Sequence, residues 1–79
     1  MRSYLRDIRK EKDITMEQVA RALGVTRQYY AMIENGQRKK NMDISTLYQI
    51  SEYLQVPFIY LVELEMEWME EKEKNFEKI

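Results

Sequence analysis

Apolar residues recur along this chain at helical spacing, in blocks separated by polar or Gly-containing breaks. In the first block Leu5 and Ile8, with Tyr4 beside them, mark the inner side of a helix over Ser3 to Lys12. In the second, Val19, Ala20 and Leu23 line a helix over Met16 to Leu23. Thr15 and Gln18 have the spacing of a capping box, so Thr15 is the expected N-cap. Gly24 then takes the left-handed conformation that ends a helix. Thr26 opens a third helix, Arg27 to Asn35, and Gly36 closes it in the same way. A basic run, QRKKNM, follows. Asp43 caps a fourth helix that reaches Leu54, with Ile44, Leu47, Ile50 and Leu54 facing inward. Pro57 suits the first turn of a fifth helix, which nothing breaks as far as Lys78. The pattern predicts an all-α fold: a compact five-helix domain with an extended C-terminal helix.

Composition narrows this picture. A chain of 79 residues is one domain with a limited core. It has no Cys, hence no disulfide framework or thiolate metal site, and no His, the commonest general base and metal ligand. No bound metal and no cofactor are expected. The apolar runs are too short to span a membrane, and MRSYLRDIRK lacks the apolar stretch of a signal peptide. A cytoplasmic protein without a membrane partner is the expectation. The net charge of −1 hides an asymmetry. Residues 1–62 hold 10 Lys/Arg and 7 Asp/Glu, a net of +3; residues 63–79 hold 3 Lys and 7 Glu, a net of −4. A basic body, 1–62, thus carries an acidic helical extension, 63–79.

The segment TMEQVARALGVTRQYYAMIENG is the most informative stretch. It reads as two short helices joined at Gly24. On a wheel of the second, Arg27, Gln28, Ala31, Met32 and Asn35 fall within an arc of roughly 140°. Ile33 and Tyr30 face the core, Tyr29 sits at the border, and Glu34 lies on the inward half. A polar outer arc is also what any solvated helix shows. Three features together favour a helix that enters a DNA major groove. A short helix and a Gly turn precede it at the right spacing. Arg27 and Gln28 lie in its first turn, and these side chains pair with guanine O6/N7 and adenine N6/N7. Arg38, Lys39 and Lys40 follow where phosphates would lie.

On these residues the chain resembles the Xre family of bacterial and phage regulators and is similar to the lambdoid phage repressors and Cro proteins. The resemblance covers about Leu5 to Leu61. It runs through LRDIRKEKDIT, EQVARALGVTRQ, YYAMIENG and ISTLYQISEYLQVPFIYL. It implies a lambda-repressor-like helix-turn-helix domain over 1–62 that binds double-stranded DNA. By the same resemblance Arg27, Gln28 and Met32 contact bases, with Ala31 near a thymine methyl. Thr15, Thr26, Asn35 and the loop of Arg38, Lys39 and Lys40 meet phosphates. Tyr29 either packs flat or reaches the backbone with its hydroxyl. The family's buried ion pair between the first and third helices matches Arg9 and Glu34; the alternative is two unrelated surface charges. Three positions and one loop depart from the family pattern. Met16 stands where many members have Gln. Asp13 and Gln55 stand where Gly is frequent. The loop after Gly36 has no Pro.

The fifth helix is apolar over more than one stripe, with Phe58, Val62, Met66 and Met69 on one side and Leu61, Leu64 and Trp68 on the next. One reading is a second surface for a homodimer, with Leu61, Leu64 and Trp68 as candidates, reading an inverted-repeat operator. The other is a cover for a thin core, with Trp68 packed on the first helix. A sequence-specific transcriptional regulator, expected to be a repressor, is the leading functional reading. A regulator with a protein partner, such as an antitoxin or a restriction-modification controller, is an alternative. So is an interaction module that has lost DNA binding. No nucleophile pairing or phosphate-cradling Gly loop points to an enzyme, and no small-molecule site is detectable in the sequence.

Overall fold

The computed structural model describes residues 1–39 and 42–77, with side chains described as far as residue 71. Among these residues there are five helices and no strand: α1 (Ser3–Glu11), α2 (Met16–Leu23), α3 (Arg27–Asn35), α4 (Ile44–Leu54) and α5 (Phe58–Glu77). Helix α1 thus stops one residue short of the expected Lys12, and Lys78 lies outside the described residues.

Local chemistry explains the boundaries. Thr15 and Gln18 form the reciprocal capping box at α2: the Gln18 amide donates to Thr15 Oγ1 at 3.1 Å, and the Thr15 amide donates to Gln18 Oε1 at 2.8 Å. Thr26 Oγ1 accepts from the Tyr29 amide at 3.0 Å, and Asp43 accepts from the Thr46 amide at 3.0 Å. Pro57 stands just before α5 rather than in its first turn, and its carbonyl accepts from the amides of Tyr60 and Leu61. Helices α1 to α4 end alike. The amides of Ile14, Val25, Gln37 and Val56 return to the carbonyls of Arg9, Ala20, Met32 and Ser51. One residue earlier, the amides of Asp13, Gly24, Gly36 and Gln55 bond to Lys10, Arg21, Ile33 and Glu52. All four closing residues have positive φ, including the two that carry a Cβ, Asp13 and Gln55 at 57°. The missing glycines therefore leave the turns intact and add strain to them.

Helix α1 packs on α3, α2 on α3 and α4, and α5 on α4. Leu5, Val19, Ala20, Tyr30, Ile33, Leu47, Ile50, Leu54 and Leu61 meet in one core. Full burial of each large aliphatic side chain contributes about 2 kcal/mol. Ile44, expected in this core, is 75 % exposed. It lies on the same side of α4 as buried Ser51, but in the first turn, where no neighbour covers it.

Helix α5 turns Leu61 wholly inward, and Leu64 packs against the core. Trp68 is half-buried under the Arg2 guanidinium, 4.3 Å from guanidinium carbon to ring centroid. All three dimer candidates are thus engaged with their own domain. Among its described side chains, the large apolar residues that α5 leaves exposed are Ile59, Tyr60 and Met66. The inner stripe also carries an acid, Glu65, one helical turn beyond Leu61, so it needs a partner as well as a core.

Candidate nucleic-acid interface

Helix α3 is held from its inner side. Tyr30, Ile33 and Glu34 are at most 1 % exposed. Arg9 on α1 grips the Glu34 carboxylate side-on, Nε to Oε2 at 2.9 Å and Nη2 to Oε1 at 3.2 Å. Its remaining Nη1 donates to the Ile14 carbonyl at 3.0 Å, which ties the α1–α2 turn to the same pair. The bond from Glu34 raises the Arg9 guanidinium above its already high ordinary value. Removing one partner of such a pair strands a buried charge at a cost of about 3–5 kcal/mol. Burial, with Glu34 beside it, also pushes the Tyr30 phenol well above its ordinary value. The pair between Arg9 and Glu34 thus fixes how α3 lies against α1.

The outer side of α3 is open. Arg27, Gln28 and Asn35 are exposed, Met32 is 36 % exposed, and Ala31 is half-buried. Ala31, with its short side chain, lowers the middle of this face and lets a surface approach closely. Arg27 also borders an open groove between the end of α1 and the start of α2, lined by Lys10, Asp13, Thr15, Met16 and Glu17. Thr15 and Thr26 are exposed while serving as caps. Tyr29 is half-buried and packs against the core beside Leu23, Val25 and Ile33.

Beyond Gly36, Arg38 is exposed, whereas Lys39 is paired: Nζ lies 2.9 Å from Asp43 Oδ1. The bond from Asp43 raises the Lys39 ammonium above its usual value. The Lys39 bond, with those from the Thr46 amide and hydroxyl, lowers the Asp43 carboxyl from 3.8 to about 2. Lys40, read as a phosphate contact, lies outside the described residues.

Sequence reasoning passed over one cluster beside this loop. The Arg2 side chain is completely buried. Its Nε and Nη2 meet Glu65 Oε1 and Oε2 at 2.8 and 3.1 Å. Its Nη1 donates to the carbonyls of Ile33 at 2.5 Å and Arg38 at 3.2 Å, and Nη2 also donates to the Lys39 carbonyl. The Tyr4 hydroxyl donates to Glu65 Oε1 at 2.6 Å; burial and that carboxylate push its phenol well above the ordinary value. One signal for this cluster was present in the sequence. Glu65 interrupts the apolar stripe that runs from Leu61 to Trp68, and a buried acid demands a cation. Nothing local marked Arg2 as that cation.

Among the described residues, no group of three or more acidic, Cys or His side chains is placed to hold a metal ion, and no helix is long and apolar enough to cross a membrane.

Two short helices, a left-handed turn between them, and a capped second helix with an anchored inner side and a polar outer side define a helix-turn-helix domain. The chain belongs to the Xre-like helix-turn-helix family: the family model described as Helix-turn-helix matches residues 5–61, well over half of the chain. Among curated proteins it is similar to the uncharacterized HTH-type transcriptional regulator YqaF of Bacillus subtilis (strain 168). The two are 49 % identical over 45 residues, which span 57 % of this chain and 59 % of that relative. The chain therefore covers less than two thirds of the length of that relative. No solved structure matches the chain significantly.

Proposed function

We propose that this protein is a sequence-specific double-stranded DNA-binding regulator of transcription that reads the major groove with α3. One observation carries the reading. The first turn of α3 presents Arg27 and Gln28 to solvent, on a helix whose opposite side is locked to α1 by a buried ion pair. A base-reading helix needs both properties. Its donors must be free to form paired bonds with base edges, and its axis must be held so that those bonds fall in register. Arg27 would pair with guanine and Gln28 with adenine. Met32 and Ala31 would offer apolar contact to a thymine methyl. Thr15, Thr26, Asn35, Arg38 and Lys39 surround this face and would meet phosphates, which fix register without reading sequence.

Repression is the expected sign of regulation, by occlusion of a promoter. A homodimer on an inverted repeat is the expected form, since one domain presents only one recognition helix. The exposed apolar residues Ile59, Tyr60 and Met66 on α5 offer a surface for the second copy. The name of the Bacillus relative, a transcriptional regulator, agrees with the class.

Selection of bound duplexes from a random pool tests all of this. An inverted repeat with half-sites about 34–36 Å apart is the expected product. Enrichment of a single half-site would overturn the dimer, and no enrichment would overturn the base-reading role.

A further inference from the structure

The Arg2 guanidinium has five N–H donors, and the structure gives each of them an acceptor. Two go to Glu65 on α5, one to the last turn of α3, and two to the consecutive carbonyls of Arg38 and Lys39. One face of the planar group lies over Trp68. The Arg2 backbone amide donates to the Glu34 carbonyl at 2.7 Å, so main chain and side chain grip the same end of α3. Lysine offers three donors around a point charge and no planar fork, so it cannot reproduce this pattern.

The acceptors matter as much as the donor. Arg38 and Lys39 belong to the loop that leaves α3. Two consecutive carbonyls drawn inward to one cation leave that stretch little freedom. In a trans peptide the amide lies opposite the carbonyl. With the Arg38 carbonyl turned in to Arg2, the Lys39 amide is directed away from it. Lys39 holds a left-handed φ of 55°, which an L-residue keeps only when its surroundings impose it. Arg2, bonded to the carbonyls of Arg38 and Lys39, is such a constraint. Glu65, held in turn by the Tyr4 hydroxyl, sets the plane of the guanidinium from the far side.

We propose that Arg2 is a positioning residue for DNA binding. Clamped by Glu65 and Trp68 on α5, it holds the backbone after α3 in the one conformation that presents Arg38 and Lys39 to phosphates. This inference rests on the DNA-binding reading above. It adds a role for α5 in the interface that requires no contact between α5 and DNA. The loop meets the duplex already ordered, so little conformational entropy is lost on binding.

The test uses the full chain and a labelled mixed-sequence duplex, with affinity measured across a salt series well below the melting temperature. In Arg2→Lys the charge remains and the fork is lost. Affinity should fall several-fold, and the salt slope should flatten by about one unit, the contribution of one phosphate contact. Amide exchange at Arg38 and Lys39 in the free protein should accelerate. Glu65→Gln, which keeps the shape of the acceptor, should shift the same three readouts in the same direction and serves if Arg2→Lys does not fold. In a chain already carrying Arg38→Ala and Lys39→Ala, Arg2→Lys should have no further effect on affinity. Two results overturn the proposal: a lower melting temperature with affinity and slope unchanged, and an Arg2→Lys effect that persists in full without Arg38 and Lys39. A parent chain that binds no duplex at any salt would instead overturn the DNA reading, and this inference with it.

Discussion

A Cβ added at Gly36 would lie 2.9 Å from the Trp68 ring, whereas one added at Gly24 would meet nothing within 4 Å. Both glycines hold positive φ, at 81° and 73°. Gly24→Ala therefore carries the strain of the left-handed backbone alone, on the order of 1 kcal/mol. Gly36→Ala adds displacement of an indole that lies beneath a buried cation, and the total should reach about 2 kcal/mol or more. Thermal melting of the two variants checks the order; equal losses would mean that Trp68 yields without resistance. The reverse substitution belongs at the end of α4. Gln55 keeps φ at 57° with a side chain exposed to solvent. Gln55→Gly should relieve that strain and stabilise the fold by about 0.5–1 kcal/mol, net of the freedom that glycine gains in the unfolded chain. A fall in melting temperature would show that the Gln side chain contributes more than its backbone costs.

Helices carry the functional contrast between the two sides of α3. Arg27→Ala and Gln28→Ala remove side chains exposed to solvent, so melting should hardly change. Affinity for the selected site should fall by about 1–3 kcal/mol per residue, with one base position relaxed in each case. Equal losses on cognate and scrambled duplexes would take both residues out of base reading. The loop between α3 and α4 behaves differently, because Asp43 both caps α4 and holds Lys39. Lys39 would have to share or leave Asp43 to meet a phosphate. Asp43→Asn keeps a good cap and releases the lysine. Affinity for any duplex should rise and the salt slope should steepen by up to about one unit. The same variant reports on pH. The carboxyl is lowered from 3.8 to about 2 in the folded chain, so its stabilisation is complete above 3.8 and is lost as pH falls through about 2. The melting difference between parent and Asp43→Asn should therefore be present at neutral pH and vanish below about 2. The effect is small, because both Asp43 and Lys39 are partly exposed and water screens the pair.

Across the whole molecule, α5 has an inner and an outer side with separate consequences. The inner side carries Leu61, Glu65 and Trp68, and the outer side carries Ile59, Tyr60 and Met66. Removing the chain from residue 66 onward would take Trp68 from Arg2 and so damage the domain itself. Point substitutions separate the two sides. Trp68→Ala should lower the melting temperature, with a loss of about 3 kcal/mol or less because the ring is only half-buried. Ile59→Asp should leave melting almost unchanged, since Ile59 is 69 % exposed, and should abolish self-association. Sedimentation of parent and variant decides it. A parent that stays monomeric both free and on DNA would exclude the dimer, and a dimer that survives Ile59→Asp would move the interface elsewhere.

Much of this protein is written in relations between near neighbours. Thr15 with Gln18, Thr26 with Tyr29, Asp43 with Thr46, and the glycines at 24 and 36 act within one helical turn, and their spacing alone set the limits of α2 and α3 and the start of α4. The outer arc of α3 was legible for the same reason, because a period of 3.6 residues sorts side chains whatever they pack against. Packing decided the rest. Ile44 fits the inner arc of α4 yet faces water, because periodicity records direction and not what lies in that direction. Trp68 could be assigned to a partner or to its own core by pattern alone; the closed fold sets Arg2 and Gly36 against its ring. Arg2 and Glu65 stand 63 residues apart, and no local rule pairs them. Only the closed fold brings a cation from one end of the domain, an acid from the other, and the loop after α3 to a single buried point, where leaving any of those charges or carbonyls unpaired would cost more than ordering them.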